Sequence, residues 1–396
     1  MKIKENLRKF SRNYLFIYLF ALVIATTGSL IQISGTSWDV TSHLMFKPET
    51  FFTPSHALLY SGIGLIIIST IITIFLYIKY GHDIKKIVPK SSFQLLLLGS
   101  IICLSSGPAD YLWHLTFGID GLLSPTHLSL ITGMLLTSLG VVIGLTKLKM
   151  SSFDINAKFE YIRKIVLISA FSALWFTMIW YIYFFSLPFS NGENFNFNLN
   201  PYLASIIAVL FLPLLSSIIF FKASNTINYL GATSAIAGLV IIINIFSNIF
   251  STDGILLSSI FWYLPLSFIP IIIADFLVHS KNIRKSNKHT KISRKIIAAA
   301  LIGGGFYIFN FPMVVWAFSV PLGMTSLVND QGSPLISQLL SNFFATIPIM
   351  LTISIPIGAI VGIIGYLVVN IMTKLENKNK MNSLSNDDKS VVVKGN

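Results

Sequence analysis

Charged residues are scarce in this chain, and cysteine is nearly absent. Only 11% of the 396 residues are charged, whereas 54% are hydrophobic, a balance that a soluble domain does not sustain. The single cysteine, Cys103, lies inside an apolar run, which excludes a disulfide framework, a thiolate zinc site and a Cys-x-x-Cys redox motif. Any metal ion bound by this chain must therefore be held by nitrogen and oxygen ligands.

Apolar runs long enough to cross a bilayer, about 17 to 25 residues each, recur along the whole chain. They predict an all-α integral membrane protein with about ten transmembrane helices. The predicted spans lie near 14–33, 57–78, 92–114, 128–146, 165–187, 202–221, 229–250, 256–277, 296–318 and 344–372. The lipid bilayer is therefore the first expected partner.

Acidic residues are outnumbered by basic ones, which gives a formal net charge of +13. Of the 28 Lys and Arg residues, 27 fall on one side of a ten-span arrangement and only Lys47 falls on the other. The positive-inside rule then places both termini in the cytoplasm of a multi-pass plasma-membrane protein. The excess charge is thus a topology signal, and we expect no nucleic-acid partner.

One stretch of the sequence occurs twice, at residues 38–62 and 109–133, and a shift of 71 superimposes the copies without a gap. The shared pattern is Asp-x3-His-x12-His, with an acid and a Ser/Thr-Pro pair at fixed places before the last His. The matched pairs are Asp39 and Asp110, His43 and His114, Glu49 and Asp120, Thr53 and Ser124, Pro54 and Pro125, His56 and His127, and Gly62 and Gly133. Residues 150–396 contain no convincing third copy.

The repeat divides the chain into three predicted parts. Residues 1–148 form a tandem repeat of two helix hairpins, with units at about 14–78 and 92–148, residues 149–373 form a six-helix membrane region without the motif, and residues 374–396 form a disordered cytoplasmic tail. Two outer loops, 188–201 and 319–343, mix Phe, Met and Leu with Asn and Ser. These loops are candidate contacts with other membrane subunits.

The placement of the histidines favours a metal site in each repeat. Four of the seven lie on the predicted outer side, inside the two copies. Asp and His four residues apart share one face of a helix, and a Thr-Pro or Ser-Pro pair is typical of an N-cap followed by proline at the first helical position. The hairpin then brings the second His, in the first turn of the next helix, against the first pair. The predicted ligands are Asp39, His43 and His56 in one copy and Asp110, His114 and His127 in the other.

Other residues of the motif have supporting roles in this interpretation. Glu49 and Asp120 are predicted to accept a hydrogen bond from a ligand imidazole and so fix its tautomer, while Thr53 and Ser124 cap the second helix. Two imidazoles and one carboxylate suit copper, zinc or iron(II), and spacing does not choose between them. A purely structural hydrogen-bonded clasp between the helices is the alternative.

The motif resembles the copper-site segment of the C subunit of particulate methane monooxygenase and ammonia monooxygenase. That segment carries Asp-x3-His-x12-His, with an acid between the ligands and a Phe-Thr-Pro-Ser-His ending, as at Phe52 to His56 here. The resemblance implies copper at both ligand sets, Glu49 and Asp120 as the intervening acids, and Trp113 as the aromatic residue that precedes the first His. It covers about 20 residues per copy, and this chain differs in being longer and carrying the motif twice.

Three functions are open at this point. The first is a copper-dependent membrane monooxygenase or oxidase-like enzyme, or a subunit of one, which would use dioxygen on a small apolar substrate. The second is transport or handling of copper, and the third is a zinc-dependent intramembrane hydrolase. Asp275 is a further intramembrane acid, which we expect to face the headgroup region.

Overall fold

The computed structural model describes residues 2–44, 50–84, 88–118, 122–148, 157–187, 198–252, 264–280, 287–310 and 344–392. These residues form helices and no strand, which confirms the predicted all-α fold. The helices are α1 (Lys2–Leu44), α2 (Pro54–Ile84), α3 (Lys90–Phe117), α4 (Pro125–Lys147), α5 (Ala157–Ser186), α6 (Pro201–Ile227), α7 (Ala232–Thr252), α8 (Leu264–His279), α9 (Lys288–Gly304), α10 (Phe306–Phe309) and α11 (Ile355–Val392), which follows a π-helical turn at Met350–Ser354.

Eight helical segments in the described ranges are long and apolar enough to cross a membrane. Seven of them lie in α1 to α7, and the eighth runs from Phe344 to Lys378. The predicted spans 256–277 and 296–318 fall partly on residues outside the described ranges, so the count of ten stays a prediction. Most of both outer loops, 188–201 and 319–343, lies outside those ranges as well.

The last helix extends further than the sequence predicts. Disorder is predicted from about residue 374, whereas the backbone of α11 continues to Val392. Its polar part begins beside α6, where the Lys222 Nζ atom lies 2.8 Å from the Glu376 Oε1 atom. The helix therefore continues past the end of its apolar segment.

Each repeat forms a tight helix hairpin, and both hairpins cross at the same place. A Cβ atom added to Gly62 in α2 would lie 2.6 Å from the Gly28 carbonyl oxygen in α1, and one added to Gly99 in α3 would lie 2.7 Å from the Gly133 carbonyl oxygen in α4. The shift of 71 that superimposes the motifs also superimposes these two glycine pairs. Small residues let the helix backbones approach closely, and this approach sets the spacing of the motif side chains.

The two hairpins pack against each other in a pseudo-twofold arrangement. α1 contacts α4, and α2 makes the equivalent contact with α3. Near the axis the Gln32 Nε2 atom donates to the Cys103 Sγ atom at 3.5 Å, and these residues occupy equivalent positions in the two repeats. The two motif copies consequently lie at the same end of the four-helix unit.

Two helices that follow the repeats, α5 and α7, cover the end of the hairpins that carries the motif. The Ser37 hydroxyl donates to the Ser247 Oγ atom at 2.8 Å, and the Ser251 hydroxyl donates to the Trp38 carbonyl at 3.0 Å, which holds the end of α7 beside α1. The Phe184 ring of α5 lies 6.4 Å, centroid to centroid, from the His127 ring of α4. Helices α5 and α7 therefore pack aromatic and apolar side chains against the end of the repeats that carries the His and Asp residues.

Candidate metal centre

The second hairpin brings Asp110, His114 and His127 together. The His114 Nε2 atom lies 3.3 Å from the Asp110 Oδ2 atom, and the His127 Nε2 atom lies 3.3 Å from the Asp110 Oδ1 atom. The three ligand atoms all lie within 4.8 Å of one another, and the side chains are only 13–14% exposed. Two imidazole nitrogens thus face one carboxylate.

Local sequence signals fix the two helix ends that carry these side chains. Gly118 ends α3 with a φ of 82° and a ψ of −177°, a positive-φ conformation that favours glycine, and its N–H donates to the His114 carbonyl at 2.9 Å. At the start of α4 the Ser124 hydroxyl accepts the His127 N–H at 3.3 Å, followed by proline at the first helical position. The predicted Ser-Pro cap is therefore confirmed in this hairpin.

The ring orientation of His114 is typical of a metal ligand. Its Nδ1 atom lies 3.1 Å from the Gly118 carbonyl oxygen, which accepts hydrogen bonds and cannot donate, so Nδ1 carries the proton. The lone pair is then on Nε2 and faces Asp110. His56 has the same arrangement, with Nδ1 at 3.0 Å from the Thr50 carbonyl and Nε2 at 3.1 Å from the Asp39 Oδ1 atom. A second proton or a cation must lie between each such nitrogen and its carboxylate.

The distances fit a shared metal ion. Two ligand atoms bound at about 2.0 to 2.1 Å to one ion lie about 3.3 Å apart at a tetrahedral angle and about 2.9 Å apart at a right angle. The imidazole–carboxylate pairs of the two hairpins lie at 3.1, 3.3 and 3.3 Å. A protonated imidazole bonded directly to a carboxylate favours about 2.7 to 2.9 Å. In the second hairpin the two distances end on different oxygens of Asp110, and one ligand atom from each residue lies within 4.8 Å of the others. Each imidazole–carboxylate pair therefore has the spacing of two ligands of one ion, and binding by all three residues would draw the two imidazoles closer together.

The first hairpin repeats part of this arrangement. Asp39 from α1 and His56 from α2 approach each other as their counterparts do. For His43 the structure describes the backbone, within α1, and not the side chain, and Glu49 and Asp120 lie outside the described residues. The roles predicted for these three side chains stay predictions.

Two hydroxyl groups that sequence reasoning missed bind the central carboxylates. The Ser55 hydroxyl donates to the Asp39 Oδ1 atom at 2.8 Å, and the Thr126 hydroxyl donates to the Asp110 Oδ1 atom at 2.6 Å. Ser55 and Thr126 are equivalent under the shift of 71, so the same bond occurs in both repeats. The signal was present in the sequence as a hydroxyl residue between proline and histidine in each copy.

Two further predicted supporting residues, Thr53 and Trp113, contact neighbouring residues. The Thr53 hydroxyl donates to the Thr50 carbonyl at 3.2 Å and accepts from the Ser55 hydroxyl at 3.4 Å. The ring of Trp113 packs on that of Phe117 with a centroid distance of 4.6 Å. Thr53 thus acts on the loop and on Ser55, while Trp113 forms part of the aromatic cover.

Comparisons of the chain with protein-family models, with curated proteins and with solved structures give no match. The resemblance to the monooxygenase C subunit rests on the motif residues alone. It therefore stays a prediction.

The hydroxyl groups lead to a first testable expectation. Replacing Thr126 by valine removes the hydrogen bond to Asp110 while keeping the side-chain shape, and loss of such a supporting contact typically lowers metal affinity about 10- to 100-fold. We expect that decrease for Thr126→Val, and near-normal affinity for Thr126→Ser, in a copper titration against a competing chelator. Thr116→Val is the matched control, because the Thr116 hydroxyl donates to the Leu112 carbonyl on the same helix. Equal affinities for Thr126→Val and the control would contradict this role.

Proposed function

We propose that this chain is a multi-pass plasma-membrane protein that binds copper through Asp110, His114 and His127, and that it works as a monooxygenase or oxidase-like enzyme, or as a subunit of one. The observation that carries the proposal is the carboxylate of Asp110 facing two imidazole Nε2 atoms at 3.3 Å. We propose an equivalent centre at Asp39, His43 and His56.

Copper is the metal that the ligand chemistry favours. The only cysteine, Cys103, lies beside Gln32 and is not part of the Asp–His cluster, so the ligands are nitrogen and oxygen atoms. Among divalent first-row metals copper binds such ligands most tightly. The resemblance of the motif to the copper segment of the monooxygenase C subunit supports the same metal. Three protein ligands also leave coordination positions open, as catalytic sites do.

The side chains around the centre have separate tasks in this proposal. The Gly118 carbonyl holds the His114 ring through Nδ1, and the Thr126 hydroxyl holds the Asp110 carboxylate, so both ligands are oriented before metal binds. The Phe184 ring beside His127 limits the access of water. When bound, copper would supply the activation of dioxygen.

The surroundings of both centres favour a small apolar substrate. In the first hairpin, Trp38 precedes Asp39 and packs on Phe250 with a centroid distance of 5.0 Å, and His56 stacks on Tyr60 at 5.8 Å. Such walls offer few polar partners to a charged substrate. The alternation of basic segments supports placing both centres at the extracytoplasmic ends of the helices, with both termini in the cytoplasm.

Metal identity and oxygen consumption together test this proposal. We expect protein purified from its native membrane to contain copper by elemental analysis, to show an electron paramagnetic resonance signal of copper bound to nitrogen, and to consume oxygen when supplied with a reductant. Protein reloaded with zinc is the control and should consume none. Retention of zinc in place of copper in the native preparation would favour the hydrolase, and a metal-free preparation that cannot be loaded would refute the centre itself.

A further inference from the structure

A second cluster of chemically competent side chains lies at the opposite end of the bundle. The His279 Nδ1 atom lies 2.8 Å from the Asp275 Oδ1 atom, and the His279 Nε2 atom lies 3.1 Å from the Ser224 Oγ atom. Asp275 and His279 are one turn apart in α8, and Ser224 lies in the last turn of α6. The cluster contacts Ser234, near the start of α7. Ser251, near the end of the same helix, contacts Trp38 of α1, next to Asp39 of the metal centre. The rise of an α-helix puts those two ends about 25 Å apart.

Asp275 is held as a carboxylate by the start of α7. Its Oδ2 atom accepts hydrogen bonds from the Gly231 N–H at 3.1 Å, the Ser234 N–H at 3.0 Å and the Ser234 hydroxyl at 2.8 Å. The amino end of a helix favours negative charge, which explains how a carboxylate only 1% exposed is stabilised. The expectation that Asp275 faces the headgroup region is therefore wrong.

The hydrogen bonds fix the tautomer of His279. Because the ionised carboxylate only accepts, the Nδ1 atom carries a proton. The Nε2 atom lies 3.1 Å from the Ser224 Oγ atom and 3.5 Å from the Ser224 carbonyl oxygen, and in the neutral ring its lone pair faces the nearer of the two, the hydroxyl. Hydroxyl groups inside helices commonly donate to the carbonyl four residues earlier, as the Thr226 hydroxyl does to the Lys222 carbonyl at 2.7 Å. Ser224 has an imidazole nitrogen at hydrogen-bonding distance from its hydroxyl instead.

The Asp-x3-His spacing of this cluster also occurs at the metal centre, but the histidine ring is oriented differently in the two places. Asp275 and His279 are four residues apart, as Asp110 and His114 are, but the His279 ring turns Nδ1 to its aspartate whereas the His114 ring turns Nε2. A neutral imidazole whose Nδ1–H is held by a carboxylate and whose Nε2 faces a serine hydroxyl is the arrangement of a serine nucleophile with its general base. It is recognised by geometry and not by sequence order.

We infer that Ser224, His279 and Asp275 form a second, acyl-transferring catalytic site that acts on lipophilic carboxylic esters. The Ser224 Oγ atom attacks the ester carbonyl carbon while its proton passes to the His279 Nε2 atom. The bond from the acyl carbon to the alcohol oxygen breaks, and His279 returns the proton to the leaving alcohol. Water then hydrolyses the acyl-serine with the same base, which releases the carboxylic acid and restores Ser224. Asp275 is a positioning residue that holds the imidazole in the required tautomer.

The neighbourhood of the cluster sets the substrate class. Ser224 and His279 are 2% and 4% exposed. The exposed side chains beside the cluster include three large apolar or aromatic ones, Tyr229 at 63%, Leu230 at 45% and Phe276 at 57%, together with Asn225 and Asn228. Tyr229 and Leu230 directly precede Gly231, and Phe276 directly follows Asp275. Three large apolar or aromatic side chains on this surface favour an acyl chain over a charged, water-soluble group, and a movement of the side chains would have to open Ser224 to an ester.

Covalent labelling with an alkyl fluorophosphonate tests the inference on the full-length folded protein in detergent. The probe forms a P–O bond with the Ser224 Oγ atom, the P–F bond breaks, fluoride leaves, and the serine proton passes to His279. We expect tandem mass spectrometry to locate the adduct on Ser224, and we expect none after denaturation. Loss of the general base in His279→Gln, or of the tautomer in Asp275→Asn, should slow labelling by at least about 100-fold.

Matched variants separate catalysis from a structural role. Ser224→Ala should abolish labelling at this position, and Thr226→Ala, which removes a hydroxyl two residues away, should label at the wild-type rate. Melting temperatures show whether each variant is folded, and the wild-type result stands even where a variant is not. A folded wild-type protein without an adduct on Ser224, or a folded His279→Gln protein labelled at the wild-type rate, would overturn the inference and leave the cluster as a contact between helix ends.

Discussion

Replacing Asp110 by asparagine is expected to release the metal ion from the second hairpin and to leave the fold intact. Asparagine has the same shape, and its carbonyl oxygen still accepts the Thr126 hydroxyl that lies 2.6 Å from the aspartate. It loses the negative charge and one of the two oxygens that face His114 and His127. Because a supporting contact alone contributes about 10- to 100-fold to metal affinity, we expect the loss of this ligand to exceed that range.

The measurement is metal content per chain, together with the copper affinity of the reloaded protein. Glu160→Gln is a suitable control, because it removes one negative charge in α5, where Glu160 pairs with Arg163 at 2.6 Å, outside the Asp–His cluster. The result also separates a metal centre from a hydrogen-bonded clasp. A clasp predicts a lower melting temperature for Asp110→Asn with unchanged metal content, and that outcome would contradict the proposed centre.

The sequence predicted the helices and the meeting of the motif residues for clear physical reasons. Apolar runs of membrane-spanning length leave few alternatives to helices, since backbone groups in lipid must be paired within the segment. Residues four apart share a helix face, which placed Asp110 beside His114, and Ser124-Pro125 placed His127 at the start of the next helix. Two of the three described Asp–His contacts in the motif, Asp39 with His56 and Asp110 with His127, join two helices. They needed the predicted hairpin as well as the helix spacing.

Side-chain contacts within the site were less accessible to sequence reasoning. Spacing fixes the face of a helix on which a residue lies but leaves its χ angles and partners open. For that reason the hydroxyls predicted as supports were Thr53 and Ser124, whereas Ser55 and Thr126 bind the carboxylates. The same limit explains why Asp275 and His279, with the spacing of the metal motif, were not recognised as a separate cluster. Their partners Ser224 and Ser234 come from other helices.

The close crossing of the two helices in each hairpin explains how an aspartate on one helix comes within about 3 Å of a histidine on the next. In the first hairpin Gly62 lies six residues after His56, and a Cβ atom added to it would lie 2.5 Å from the Gln32 backbone nitrogen and 2.6 Å from the Gly28 carbonyl oxygen. Backbone atoms cannot rotate away, so the helices must separate to admit even one methyl group. A separation near Gly62 moves the start of α2, with His56, relative to Asp39.

Gly62→Ala is accordingly expected to destabilise the protein, whereas Gly64→Ala is not. Overpacking in a well-packed interior costs about 1 to 3 kcal/mol, and contacts with the α1 backbone at both Gly28 and Gln32 place Gly62 at or above the top of that range. A Cβ atom on Gly64 meets no atom within 4 Å, and alanine in place of an unconstrained helical glycine is favourable by up to about 1 kcal/mol. The two variants add the same group two residues apart, so opposite shifts of melting temperature isolate the crossing.

Metal content then links this crossing to the centre. If Asp39 and His56 bind a metal ion, Gly62→Ala removes the metal that the first hairpin binds and so lowers the metal content per chain. The Asp110 site in the second hairpin keeps its metal. If each hairpin instead binds nothing, both glycine variants leave metal content unchanged and only stability differs. Equal melting temperatures for the two variants would show that the helices tolerate a methyl group at Gly62. The close approach would then not be what holds His56 against Asp39.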